Sequence, residues 1–289
     1  KQYPWAIISV SFVIRLAPQL RFTNPDMRSH LVFDTPEWHA RVAALIAATE
    51  STAIAQKVVA LICETVANDG TSLLAFHKDA APEVLAHSLA PAERRHFLDR
   101  YLAGPYLLDP LYQLAISESK PSMCRFRDTH PDRFRSSEYY HQYVERTHLV
   151  DEMDFLRDVS PMSTLVIVVG RTQNRLTRAE RYRLEMIEPL VAAAMQRVWD
   201  QWQQTSSPNR DIHQRLTDCF VNFGDNVLTQ REREITQLLL RGHSTKSVAR
   251  ELDIAPGTVM VHKRNLFSKL GITSQYELFS RFIENLSQG

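Results

Sequence analysis

Between Leu228 and Glu277 the chain is punctuated so densely that only short helices fit. Thr229, followed three residues later by Glu232, forms a capping box that starts the first helix, and Gly242 ends it. "TKSVAREL" (245–252) forms the second. Asp253 stands at a turn, and its short polar side chain tolerates left-handed backbone. Pro256 opens the third helix at its first position, where the missing N–H costs nothing. Ala255 before it is a poor N-cap, about 0.5–2 kcal/mol worse than Ser. Gly271 ends the third helix, and Ser274 with Glu277 begins a fourth. Two helices joined by "DIAP", the second of them basic, have the layout of a helix-turn-helix.

The charge supports that layout. The whole chain carries 34 Lys+Arg against 33 Asp+Glu, which excludes a polybasic protein that coats nucleic acid along its length. Residues 256–271 nevertheless hold Lys263, Arg264 and Lys269 and no acid. On a helical wheel Val259, Leu266 and Leu270 form one apolar stripe with His262 at its margin, while Met260, Arg264 and Ser268 point the other way, flanked by Val261, Lys263 and Phe267. A short helix anchored on one side and positive on the other suits a DNA major groove, where phosphates supply affinity and base edges specificity.

The run from Leu228 to Leu278 resembles the LuxR/FixJ-type DNA-binding domain, with Leu228, Thr229, Arg231, Glu232, Glu234, Gly242, Ala249, Leu252, Ile254, Thr258, Val259, His262, Leu266, Lys269, Leu270 and Gly271 at matching places. The resemblance covers about a fifth of the chain. It implies that Lys246, Thr258 and Lys269 hold phosphates and that Met260, Val261, Lys263 and Arg264 face the groove. It also implies that Leu278 and Phe282 pack the domain and its twofold partner. For His262 both a structural role and a DNA contact stay open. Met260 stands where many members have Lys, and Ala255 where many have Ser; Met and Val offer apolar contact to thymine methyls instead.

The N-terminal half reads as α-α-β-β-α-α-β-α-β-β. Helices are expected over 36–49 and 52–67, strands at 71–77, 84–87 and 121–126, and two longer strands at 149–158 and 162–170. "STLVIVVG" is the strongest strand signal, rich in β-branched residues. The fold expected is α+β: an α/β/α sandwich on a mainly antiparallel five-stranded sheet, then a long connector helix and an all-α four-helix domain. A phosphorylated receiver would need a parallel doubly wound sheet, and a signalling ATPase would need GxxxxGK[ST]; neither pattern is present. "HFLDRYLAGPYLLDPL" resembles the signature of the autoinducer-binding, GAF/PAS-like sensor domain of quorum-sensing regulators, with Phe97, Tyr101, Asp109 and Pro110 at matching places. The resemblance implies a ligand pocket with Phe97, Tyr101, Asp109 and Tyr143 as its binding residues, and Tyr139 and Tyr140 as further candidates. Phe97 replaces the usual Trp and removes the indole N–H for a lactone carbonyl, which argues against an acyl-homoserine lactone. Asp109 also reads simply as the N-cap of a helix opened by Pro110.

Four regions follow: an N-terminal extension at 1–35, with Met27 a candidate true start; a ligand-sensor and dimerisation domain at 36–176; connector helices and linker at 177–225; and the DNA-binding domain at 226–289. "WAIISVSFVI" near the start is shorter than the roughly 20 residues that span a bilayer. The helix from Thr177 carries the stripe Leu184, Ile187, Leu190, Val191, Ala194, Val198 and Trp202, which either pairs with its copy in a dimer or packs on the sensor sheet, and Pro189 should kink it or mark a break. Cys63, Cys124 and Cys219 are too widely spaced for a zinc or disulfide framework. His130, Asp132 and His141 lack convincing ligand spacing. No enzyme activity, cofactor or membrane role is expected, and a cytoplasmic location is. The partners implied are operator or promoter DNA, a small-molecule effector, a second copy of the chain and RNA polymerase. The alternative is a ligand-independent DNA-binding regulator whose N-terminal half is a dimerisation or protein-interaction module.

Overall fold

The computed structural model describes residues 32–202, 217–218 and 220–288. The extension before 32 with Met27, residues 203–216 of the expected connector, and Cys219 lie outside the described residues. Helix α1 (Pro36–Ala47) starts at Thr35, whose hydroxyl accepts from Trp38 N at 3.2 Å, with Pro36 at the first position. Helix α2 (Ser51–Thr65) buries Ile54, Ala55, Val58, Val59, Leu61 and Ile62.

Five strands follow: β1 (Gly70–His77), β2 (Glu83–His87), β3 (Met123–Arg125), β4 (Asp151–Ser160) and β5 (Ser163–Arg171). They form one sheet in the order β2-β1-β5-β4-β3, each neighbouring pair antiparallel. Central β5 is apolar on both faces because both faces are covered. Leu165, Ile167 and Val169, with Leu73, Ala75, Met153 and Phe155, pack under α1, α2 and the long helix α4 (Arg178–Trp202). On the other face Leu74, Phe76, Leu156 and Val166 meet the segment between β2 and β4, which includes α3 (Pro110–Ile116). The result is the α/β/α sandwich expected from the sequence.

Helix α4 begins with a capping box at Thr177 and Glu180, the Thr177 hydroxyl accepting from Glu180 N at 3.2 Å and Glu180 accepting from Thr177 N at 2.7 Å. It runs as one element through Pro189 rather than breaking there. Of its stripe, Leu184, Ile187, Val191, Ala194 and Val198 are buried within this core. That stripe therefore closes the sandwich and is not free to pair with a second copy; of the two readings, packing on the sheet is the one realised. Arg171, at the end of β5, fixes this layer: its guanidinium donates to Ala67 O at 2.7 Å through Nε and pairs with Glu180 at the start of α4. Arg197 donates to the Leu45 and Ile46 carbonyls at 3.2 and 3.3 Å and so satisfies the open end of α1.

The C-terminal helices are α5 (Gln230–Leu240), α6 (Thr245–Glu251), α7 (Pro256–Leu270) and α8 (Gln275–Gln288). Ile235, Leu239, Val248, Val259, Leu266, Leu278 and Phe282 are buried between them. Leu278 and Phe282 are thus spent within the chain. Asp253 adopts φ 50° and Gly271 φ 65°, as the turn and the helix end require.

Burial works against the Glu180 carboxylate, but hydrogen bonds from Arg171 and Thr177 hold its pKa down at about 2. Its folded pKa lies below its unfolded one, so its contribution is complete above pH ~4.5 and is lost as pH falls toward 2. Arg171→Ala is expected to cost about 3 kcal/mol in urea unfolding at pH 7, the scale for breaking a buried pair. The difference from wild type should shrink below pH ~4 as Glu180 protonates in both.

Candidate ligand cavity and nucleic-acid interface

A helical run from Pro91 to Leu102, widened over Arg95–Asp99, carries Phe97 and Tyr101 one turn apart on one face. Gly104 at φ 147° turns the chain sharply. A tight turn over Pro105–Leu108 then delivers Asp109 in extended backbone under the sheet. Asp109 is 2% exposed. Its Oδ1 accepts from Leu111 N at 2.9 Å, which is the N-cap of α3, and its Oδ2 accepts from the Tyr101 hydroxyl at 2.7 Å. The two readings of Asp109 are therefore compatible: one carboxyl oxygen caps the helix and the other faces the tyrosines.

A second widened helical turn, Tyr140–Val144, sets Tyr139 and Tyr143 side by side. Their rings stack with centroids 5.4 Å apart, and Tyr143 lies 5.4 Å from Tyr101. Phe97, Tyr101, Asp109 and Tyr143 all line one cavity against the open face of the sheet, closed by residues such as Leu74 and Val168. Its volume is about 70 Å³, room for about five waters. Tyr139 also lines it, whereas Tyr140 does not. Two acids that sequence reasoning missed belong to the same face. Glu152 lines the cavity, and Asp154, two residues on, is fully buried behind it.

Burial raises the Asp109 carboxyl to about 6, although hydrogen bonds from Tyr101, Leu111 and Tyr139 pull the other way. Burial and the neighbouring Asp109 charge push Glu152 up to about 8, and burial with Glu152 raises Asp154. Burial and then Asp154 push the Cys124 thiol up. His130 stacks on Phe134 with centroids 3.6 Å apart, and burial lowers its pKa to about 4. Among the described residues no group of three or more His, Cys, Asp or Glu is arranged to hold a metal ion, and no helix is long and apolar enough to cross a membrane.

In the C-terminal helices, Ser244 caps α6, accepting from Ser247 N at 3.2 Å, and Arg231 donates to Leu252 O at 3.0 Å to brace the turn. Ala255 makes no side-chain cap on α7. Val259 and Leu266 are buried, which leaves Thr258, Met260, Val261 and Arg264 exposed on the opposite side; Met260 and Val261 are 62% and 53% exposed. Lys246 is exposed on α6, and His262 is half-buried. Two basic residues are already engaged. Lys269 Nζ donates to Glu232 Oε2 at 2.7 Å, so its charge is partnered inside the domain. Lys263 lies over the Phe267 ring at 5.3 Å, and partial burial, then the Arg133 charge, lower its pKa.

Arg133 belongs to the segment that joins the two halves. Asp132 accepts from Ser244 N at 3.0 Å and from the Ser244 hydroxyl. Gly242, at φ 90°, is pressed so closely on this segment that a Cβ there would lie 2.7 Å from the Ser137 Cβ.

Residues 226–282 match the family described as "Bacterial regulatory proteins, luxR family". The chain is 33% identical over 157 residues to a putative HTH-type transcriptional regulator in the exeN 3'region of Aeromonas salmonicida, covering 52% of this chain and 80% of that one. It is 25% identical over 246 residues to the monoamine regulon transcriptional regulator of Klebsiella aerogenes, covering 83% of this chain and 95% of that one. Its fold resembles the VqsR LBD domain from Pseudomonas aeruginosa with a TM-score of 0.50 and 21% identity, over 58% of this chain and 99% of that one.

Asp109 gives the cavity a measurable signature. Its folded pKa is raised, so its contribution to stability is full below pH ~4 and is lost as pH rises through about 6. Asp109→Asn keeps an N-cap acceptor. Relative to this variant, wild type should lose stability in urea melts between pH ~4 and ~6; parallel profiles would contradict the burial of an ionisable Asp109.

Proposed function

The chain belongs to the luxR family of bacterial regulatory proteins, and we propose that it is a sequence-specific transcription regulator whose DNA binding is set by a small molecule in the Asp109 cavity. It acts as a homodimer, with half-sites about one DNA turn or a multiple of it apart. Phosphate contact comes from Lys246 and Thr258, while Met260, Val261 and Arg264 meet base edges. Lys263 and Lys269 reach phosphate or base only by leaving Arg133's surroundings and Glu232 respectively.

One observation carries the control. Tyr139 and Tyr143 wall the cavity, and Asp132, a few residues earlier in the same segment, holds Ser244 at the start of α6. A ligand that shifts the tyrosines therefore pulls on the segment that anchors the helix-turn-helix. Such coupling needs differential ligand affinity for two positions of that segment. The cavity volume supports a compact effector rather than a long acyl chain.

Arg264 is the sharpest test of the DNA-facing side. With a site selected from random DNA by the wild-type protein, Arg264→Ala should lose about 1–3 kcal/mol of preference over mutated sites, since a good side-chain–base contact contributes that much. Its melting temperature should be unchanged, because the side chain is exposed. Lys246→Ala should weaken binding to all sequences alike and reduce the salt slope by about 1. Full discrimination by Arg264→Ala in gel shifts would overturn the groove assignment.

A further inference from the structure

Nothing in helix capping explains why this cavity holds so much acid. Asp109 is accounted for at the start of α3, but Glu152 and Asp154 cap nothing. Both lie on one face of β4, since residues two apart in a strand share a side. Their ladder partners on β5 are Gly170 and Val168, which line the cavity as Glu152 does. Gly170 contributes no side chain, so nothing from that position fills the space beside the Glu152 carboxyl. No Lys, Arg or His among the described residues lines the cavity. Asp154 Oδ1 is buried without a partner, while the carboxyl is otherwise met by Glu152 and by the Cys124 thiol, 3.8 Å from Oδ2. Burying carboxyls without a counter-charge is costly, and proteins avoid it unless something pairs with them.

The rest of the wall consists of aromatic faces. Tyr101, Tyr139 and Tyr143 cluster with centroid separations of 5.4 Å, and Phe76 lies 6.4 Å from Tyr101. Ring faces carry negative quadrupole density and attract cations held within about 6 Å of the centroid. Carboxyls at one end and ring faces around them are complementary to an N–H-bearing cation and unsuited to an anion.

We propose that the cavity takes a small organic ammonium ion, with Glu152 and Asp109 as its counter-charges and the Tyr101, Tyr139 and Tyr143 rings as its walls. This rests on the reading of the cavity as the effector site. The ammonium donates hydrogen bonds to the carboxyls and an apolar tail lies toward Phe97 and Leu98.

Isothermal titration of the full chain with three matched probes small enough for the cavity tests this: propylammonium, its neutral isostere 1-propanol, and the anion butyrate. The ammonium is expected to bind saturably and at least about tenfold more tightly than the alcohol, the scale of one charge-assisted hydrogen bond. Glu152→Gln should remove most of that advantage while leaving alcohol binding nearly unchanged. The comparison of probes on wild type needs no variant, so a Glu152→Gln protein that fails to fold does not blunt the test. Equal or tighter binding of the alcohol or the carboxylate overturns the charge assignment and leaves the cavity as an effector site. Absence of saturable ammonium binding at millimolar concentration overturns it as well. Ammonium binding that leaves DNA affinity unchanged counts against the regulatory reading and not against the cation site.

Discussion

The buried Asp109 carboxylate is the contact on which the N-terminal half depends. One oxygen starts α3 by accepting from Leu111 N, and the other holds the Tyr101 hydroxyl. Through Tyr101 it fixes the helix before Gly104, and through a hydrogen bond from Tyr139 it fixes the turn that follows Phe134. Three segments far apart in sequence thus converge on one ionisable group beneath the sheet. A charge so placed costs free energy unless donors surround it, so the same residue that orders the local structure also makes the cavity polar and sensitive to what enters it.

Much of this was legible in the sequence, for definite reasons. The helix-turn-helix could be read almost residue by residue because its helices are short and each end carries its own signal: Thr229–Glu232, Asp253, Pro256, Gly271. The strands were legible because "STLVIVVG" is buried on both faces and β-branched. Phe97, Tyr101, Asp109 and Tyr143 do gather at one cavity, which their pattern implied. Glu152 and Asp154 escaped because charged residues in a strand ordinarily mark its solvent face; the available signal was their spacing of two in a strand paired with the apolar run Leu165–Val169. The fate of the α4 stripe also could not be read, since an apolar helix face looks the same whether it meets a sheet or a second chain. The engagement of Lys269 by Glu232 was hidden because it joins the start of one helix to the end of another.

The two halves meet at the segment after β3, beside a buried apolar cluster that runs through both. Asp132 on Ser244, Gly242 against Ser137, and Arg133 near Lys263 all belong to residues that lead directly into the tyrosine turn of the cavity. This economy gives the segment two roles at once: it bears one wall of the cavity and the footing of α6.

The central claim is that occupancy of the cavity sets DNA affinity through this segment. It is tested most directly by fluorescence anisotropy of the full chain on its selected DNA site, with and without saturating propylammonium. The account predicts a change in Kd of at least about fivefold, the lower range of allosteric coupling, which disappears when Asp132→Ala cuts the link to Ser244. An identical Kd with the cavity demonstrably filled would contradict it.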